Sequence, residues 1–232
     1  MFLGGLQKHS LIDFPGKVSC VCFLSGCNFR CPFCHNPDLV TARGHRSGMS
    51  DLDFFSFLET RKGLLDGVVI SGGEPTLEEN LPAICERIKS MGFSVKLDTN
   101  GSRPHILRGL MEKRLLDYVA MDIKTDPDGY AALMNGSGSV EPVLESVHDI
   151  MVSGVEYEFR TTCVRPFVDA TILGRMAMMI QNAKRYVLQP FRSARILAPE
   201  YFQGKEPGYS AEEMKELEAV AEPFVQECFI RG

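Results

Sequence analysis

The sequence predicts an α/β fold: an open partial (β/α)6 barrel of parallel strands, built as a single domain over residues 1–232. Three observations predict it. Six short apolar or β-branched runs alternate with six stretches of helical periodicity. The connections are of ordinary length, so each strand–helix–strand unit makes a right-handed crossover and leaves its strands parallel. Six such units are too few to close an eight-stranded barrel, so the sheet is expected to stay open and curved.

The elements follow in order. Residues 17–24, KVSCVCFL, follow Gly16 and read as the first strand. Ser50-Asp51-Leu52-Asp53 offers an N-cap to a helix over 54–62. GVVIS at 67–71 is a short buried strand that runs into Gly72-Gly73-Glu74-Pro75. Residues 80–90 are helical, with Pro82 tolerated near the start and Gly92 as the stop. The third strand, 93–98, ends in Asp98-Thr99-Asn100-Gly101, and a helix follows over 104–113. YVAMD at 118–122 is the fourth strand and leads to Ile123-Lys124. Asn135–Ser139 is a turn, too short to act as a domain linker, and a helix over 143–152 is closed by Gly154. The fifth strand, 156–163, alternates Tyr157 and Phe159 with Glu158 and Arg160. A Met-rich helix over 170–183 comes next, with Met176, Met178 and Met179 as core filler. A sixth strand at 185–189 and a helix at 211–221 complete the series.

Composition narrows the function. A chain of 232 residues that is 44% hydrophobic supports a sizeable core without disulfide staples. A net charge of −5 with no long basic run argues against a nucleic-acid partner. The opening MFLGGLQKHS holds too short an apolar stretch for a signal peptide, and no later stretch reaches membrane-spanning length. A cytoplasmic protein with no membrane partner is expected.

In parallel α/β folds the working groups collect at the C-terminal ends of the strands. Here four consecutive strand ends carry distinctive sequences: cysteines after the first, GGEP after the second, DTNG after the third and MDIK after the fourth. Cys27, Cys31 and Cys34 lie in a C-x3-C-x2-C spacing within SGCNFRCPFCHN. Thiolate sulfur selects zinc, copper(I) or an iron–sulfur cluster. Structural zinc and electron-transfer cubanes close their shells with four protein ligands, whereas three local cysteines leave one metal corner open for a substrate. His35 could supply a fourth zinc ligand, but adjacent residues rarely reach one tetrahedral ion. A disulfide framework is out of place in a sizeable chain without a secretion signal. The other cysteines (20, 22, 85, 163 and 228) read as small buried hydrophobes or scattered singles.

C-x3-C-x2-C with Phe33 before the last cysteine resembles the cluster motif of the radical S-adenosylmethionine superfamily. HSLIDFPG at 9–16, then a strand, then SGCNFRCPFCHNPDLV resembles the glycyl-radical-enzyme activases. Among them the best match is the activating proteins of anaerobic ribonucleoside-triphosphate reductase. The resemblance runs from the N-terminus to about Cys163. It implies the same partial barrel and a [4Fe-4S] cluster on Cys27, Cys31 and Cys34. It also implies S-adenosylmethionine, whose amine and carboxylate chelate the open iron. Reduction by the cluster would give a 5′-deoxyadenosyl radical that takes hydrogen from a glycine of a partner enzyme.

By the same resemblance Gly72, Gly73 and Glu74 meet the amino group of S-adenosylmethionine. Asp98 and Asp122, with backbone oxygens near Thr99 and Ala120, match positions that hold a monovalent cation in the pyruvate formate-lyase activase. Two such carboxylates repel unless a cation or proton sits between them. Lys124 and Arg160 match basic residues near the cofactor carboxylate or the substrate peptide. Phe33, His35 and Asn36 fall beside the cofactor, the last two near its nucleoside. Asp13 and Gly16 match a D-x-x-G that shapes the substrate entrance. Gln189-Pro190-Phe191 stands where the family carries a histidine, a departure that leaves substrate contacts on that side open.

The partner expected is a glycyl radical enzyme, an anaerobic ribonucleotide reductase or a formate-lyase homologue. The electron donor expected is of the flavodoxin or ferredoxin type, in an anaerobic setting. A second reading is a radical enzyme acting on a small molecule, as 7-carboxy-7-deazaguanine synthase does. A third, a plain iron–sulfur electron carrier, would ask for a fourth cysteine ligand and no special strand ends.

Overall fold

The computed structural model describes residues 3–41, 49–134, 138–192 and 195–232. In chain order the elements begin with strands β1 (Leu3–Ser10) and β2 (Ser19–Leu24) and helices α1 (Pro37–Thr41) and α2 (Asp51–Glu59). There follow β3 (Gly67–Gly72), α3 (Leu81–Ser90), β4 (Ser94–Thr99), α4 (Pro104–Glu112) and β5 (Tyr118–Asp122). The remainder is α5 (Tyr130–Leu133), α6 (Glu141–Val152), β6 (Glu156–Cys163), α7 (Ala170–Met179), β7 (Tyr186–Pro190), α8 (Ala211–Ala221) and β8 (Cys228–Ile230). The strands follow one another in sequence order from β1 to β8, and the sheet is not closed.

All six expected strands are present, as β2 to β7, with β2, β3 and β4 parallel in turn and β6 parallel to β7. Two strands lie outside the expectation. β1 pairs antiparallel with β2, with Leu3 opposite Leu24 and Leu6 opposite Cys22. β8 pairs parallel with β7, with Tyr186 opposite Cys228 and Leu188 opposite Ile230. Three of the residues expected in a turn, 135–137, lie outside the described residues.

The chain falls into two compact units that interleave along the sequence: residues 1–28, 38–99 and 105–119, and residues 29–37, 100–104 and 120–232. In the first, β2 and β3 are near-continuous apolar runs because helices cover the sheet, the usual signature of parallel strands. Phe54 and Leu58 of α2, Ile84 and Ile88 of α3, and Leu107 and Leu110 of α4 are buried with them. α2 starts where Ser50 and Asp53 form a reciprocal capping box, each side chain accepting from the other's backbone N–H.

In the second unit Val143, Val147 and Ile150 of α6, Leu173 and Met176 of α7, and Met214 and Leu217 of α8 are core residues. Met178, expected in the core, is 53% exposed. The polar side of β6 is also not what its alternation suggests. Glu158 is fully buried and accepts two hydrogen bonds from Arg231, at 2.9 and 2.8 Å, which ties the chain end after β8 back to β6. Among the described residues no helix is long and apolar enough to cross a membrane.

Candidate active site

The chain leaves β2 at Leu24 and enters the cysteine loop. Cys27 and Cys34 are half-buried, Cys31 is buried, and none of the three is in a disulfide. Two phenylalanines hold the loop. Phe29 packs edge-on against Tyr130, and Phe33 lies 5.0 Å from the ring of Phe167. Both are buried, so the aromatic residue before the last cysteine serves here as an anchor. Backbone bonds do the rest: Cys34 N–H donates to the Cys31 carbonyl at 3.0 Å, and Leu197 N–H donates to the Cys34 carbonyl at 3.0 Å. His35 is exposed, donates from Nε2 to the Arg192 carbonyl at 2.8 Å and lies against Phe191, while Asn36 is exposed.

The other five cysteines are chemically different. Burial pushes the thiols of Cys20, Cys85, Cys163 and Cys228 up to about 12, and Cys22 higher still. They stay protonated at neutral pH, and a thiolate is what binds metal. The loop cysteines are thus the candidates for ligation.

At the ends of β3 and β4 the first unit gathers a second group. Gly72 has φ +125°, a conformation that glycine alone adopts readily, and a Cβ there would lie 2.2 Å from the Leu24 carbonyl oxygen. A Cβ on Gly73 would lie 2.0 Å from the carbonyl oxygen of Gly26. The two glycines let one backbone lie on another: Gly73 N–H donates to Leu24 and Glu74 N–H to Gly26, at 2.9 and 2.8 Å. Glu74 is 2% exposed, and its carboxylate faces inward. Oε1 accepts from Thr76 N–H at 3.0 Å, from the Thr76 hydroxyl and from the Thr99 hydroxyl at 2.8 Å. Asp98 accepts from the ammonium of Lys96 on one oxygen and from the Ser71 hydroxyl on the other, at 3.1 Å.

The second unit holds Asp122, Lys124 and Arg160. Lys124 Nζ reaches one Asp122 oxygen and Arg160 Nε the other, each at 2.9 Å. Burial pushes the Asp122 carboxyl up, but the charges of Arg160 and Lys124 outweigh it and hold the group well below the usual carboxylate range. Burial likewise lowers Lys124, and here the charge of Asp122, then that of Cys31 and more weakly Cys34, lifts it above an ordinary lysine. The buried Tyr130 hydroxyl accepts from Lys124 N–H at 3.1 Å and fixes this strand end.

Any monovalent cation at these carboxylates would compete with cationic groups of the protein. Asp98 and Asp122 each carry a cationic partner from the chain itself. The thiolate site fares better. Among the described residues no three His, Cys, Asp or Glu side chains could hold a single metal ion. A cubane asks for a wider set, since each cysteine binds a different iron. Three cysteines outside any disulfide in one short loop, with the Lys124 ammonium within electrostatic reach of two of them, fit that anionic cluster. The Ser25 hydroxyl points the same way: buried two residues before Cys27, it has no hydrogen-bond partner among the described residues. Lys96, Ser71 and Thr76 escaped the sequence reading. The one available signal was a lysine inside an apolar run, two residues before an aspartate.

Comparison with known proteins agrees with this geometry. The sequence profile of the Radical SAM superfamily matches residues 21–176, well over half of the chain. A Methanocaldococcus jannaschii protein provisionally named a glycyl-radical enzyme activating enzyme is 32% identical, over 99% of this chain and 95% of its own. The pyruvate formate-lyase-activating enzyme of Clostridium pasteurianum is 28% identical, over 81% of each chain. Among solved structures, Streptococcus suis SuiB bound to S-adenosylmethionine superposes with a TM-score of 0.68 at 13% identity, over 89% of this chain and 48% of its own. The fold is shared at that distance, and with a profile match across the cysteine loop and the strands that follow it, this chain belongs to the radical SAM superfamily.

Proposed function

We propose that this radical SAM enzyme generates a glycyl radical on a partner enzyme, an anaerobic ribonucleoside-triphosphate reductase in the first instance. The observation that carries the proposal is likeness over nearly its whole length to a relative named for activating glycyl-radical enzymes. A formate-lyase homologue is the next partner to try, given the second relative. When bound, the reduced cluster and S-adenosylmethionine supply a hydrogen-abstracting radical by one-electron chemistry.

The chain's own residues position and shield. Cys27, Cys31 and Cys34 would hold the cluster, and three cysteines leave one corner without a protein ligand. Gly72 and Gly73 bring backbone close, and Glu74 fixes the turn that presents it. Lys124 and Arg160, held on Asp122, set a positive edge for the cofactor carboxylate or the substrate peptide. The resemblance assigns Asp98 and Thr99 in the first unit, and Phe33, His35 and Asn36 in the second, to the cofactor as well. A flavodoxin or ferredoxin-type donor in an anaerobic cytoplasm would supply the electron.

Glu74→Ala should separate two roles of this residue. It removes the acceptor of Thr76 and Thr99, and each bond to a charged group is worth about 1.5–3 kcal/mol. The urea midpoint should fall. If Glu74 also meets the cofactor amine, S-adenosylmethionine affinity should drop roughly ten- to a hundredfold while iron content holds. Unchanged affinity by titration confines Glu74 to holding the turn.

The function itself is tested by anaerobic mixing of reduced protein and S-adenosylmethionine with candidate partners, the ribonucleotide reductase first. A persistent carbon-centred doublet in the electron paramagnetic resonance spectrum is expected, and it should vanish when the partner's target glycine is replaced by alanine. Consumption of a purine precursor in step with 5′-deoxyadenosine, and no protein radical with any partner, would replace this reading with the small-molecule one.

A further inference from the structure

We infer that Lys96 is a built-in substitute for a monovalent cation: its ammonium neutralises Asp98, so that this strand end works without sodium or potassium. β4 is a buried strand, and Lys96 is 1% exposed within it. A lysine there is strongly destabilising unless its charge is met. Lys96 and Asp98 are two residues apart, so they share one face of the strand. The register that sets Val69 beside Lys96 carries Ser71 to Asp98. The result places the ammonium on one Asp98 oxygen and a hydroxyl on the other, with the Tyr118 ring 6.0 Å from the ammonium.

An ammonium carries the charge of a potassium ion and is close to it in size. Tethered through the β4 backbone, it cannot dissociate, and its occupancy is independent of the salt outside. Asp98 is thereby paired and aimed without an external ion. The same logic holds at Asp122, where Lys124 and Arg160 take both oxygens. A strand end that expects a free cation has no reason to bury a lysine beside the carboxylate that would bind it.

The cofactor arm of the test rests on the reading that S-adenosylmethionine binds here, and the stability arm does not. Thermal unfolding and S-adenosylmethionine affinity are measured at equal ionic strength in sodium, potassium and choline chloride. For the natural protein the three salts should give one melting curve and affinities within about twofold. Lys96→Met takes the ammonium off the Asp98 carboxylate and opens a space of that size. In choline its affinity should fall at least about tenfold and its melting temperature should drop, and sodium or potassium should restore both. Lys96→Met with Asp98→Asn removes both charges and should show no salt preference.

Loss of about tenfold in affinity, or a lower melting curve, when the natural protein is moved from potassium to choline would overturn the inference. So would a Lys96→Met protein that matches the natural one in all three salts. If that variant fails to fold while the double variant folds, the charge pairing stands. If neither folds, the natural protein's salt comparison decides. Failure to bind S-adenosylmethionine in every salt would count against the cofactor reading instead, and the melting curves would still report on the cation.

Discussion

Alanine at any one of Cys27, Cys31 or Cys34 is expected to abolish the iron–sulfur cluster, whereas Cys85→Ala is expected to leave about four iron and four sulfide per reconstituted chain. The contrast follows from where the thiols sit. Cys85 is fully buried on α3, and burial pushes its thiol up to about 12. It is a small apolar residue that cannot offer a thiolate at neutral pH. The three loop cysteines share one short segment, with Lys124 in electrostatic reach of Cys31 and Cys34. A cubane held by three protein ligands has no spare, so losing one removes a corner that nothing nearby can replace. Iron and sulfide analysis after anaerobic reconstitution reads the outcome, together with visible absorption. A full, active cluster in the Cys31→Ala protein would sink the assignment.

The cysteine loop could be read because its information is local: three thiols within eight residues need no knowledge of the fold. The six parallel strands could be read for a related reason. A strand covered on both faces is an apolar run, and β2, β3 and β5 are such runs bounded by turns or a terminal aspartate. β1 could not. LGGLQKHS holds two glycines and three exposed residues, and it becomes a strand only because β2 offers an edge. β8 is three residues long, below what any pattern resolves.

Within the site, the pairings were the hidden component. Asp122 finds Arg160, and Glu158 finds Arg231, across stretches of chain whose alignment only the packed sheet determines. Two carboxylates at strand ends suggested a missing cation. The sequence showed both aspartates, but nothing in the spacing revealed that Lys96 turns its ammonium onto Asp98 inside a buried strand. Glu74 shows the same blindness in reverse. A carboxylate after two glycines looks available to a ligand, and its inward turn toward Thr76 and Thr99 depends on where β4 ends.

Gly73→Ala should be severely damaging for a single-methyl change, because the added carbon has nowhere to go. It would sit 2.0 Å from the Gly26 oxygen, 2.6 Å from the Gly26 carbonyl carbon and 3.2 Å from the Cys27 nitrogen. All three are backbone atoms, so no side chain can swing aside. Relief requires moving either the turn after β3 or the start of the cysteine loop. The turn is held by Gly73 N–H on Leu24 and Glu74 N–H on Gly26, and Gly26 N–H is held in turn by the Leu39 carbonyl at 2.7 Å. Overpacking against a fixed neighbour costs about 1–3 kcal/mol, occasionally more. The loop that yields is the one carrying Cys27, so cluster retention should fall with stability. Gly109→Ala supplies the control: Gly109 lies inside α4 with nothing within 4 Å of its added carbon. There alanine should stabilise by about 0.5–1 kcal/mol through helix propensity alone. Urea unfolding and iron content of the two proteins, measured side by side, decide the matter. A Gly73→Ala protein as stable and as fully loaded with iron as its Gly109→Ala counterpart would mean that the glycine turn does not brace the cysteine loop.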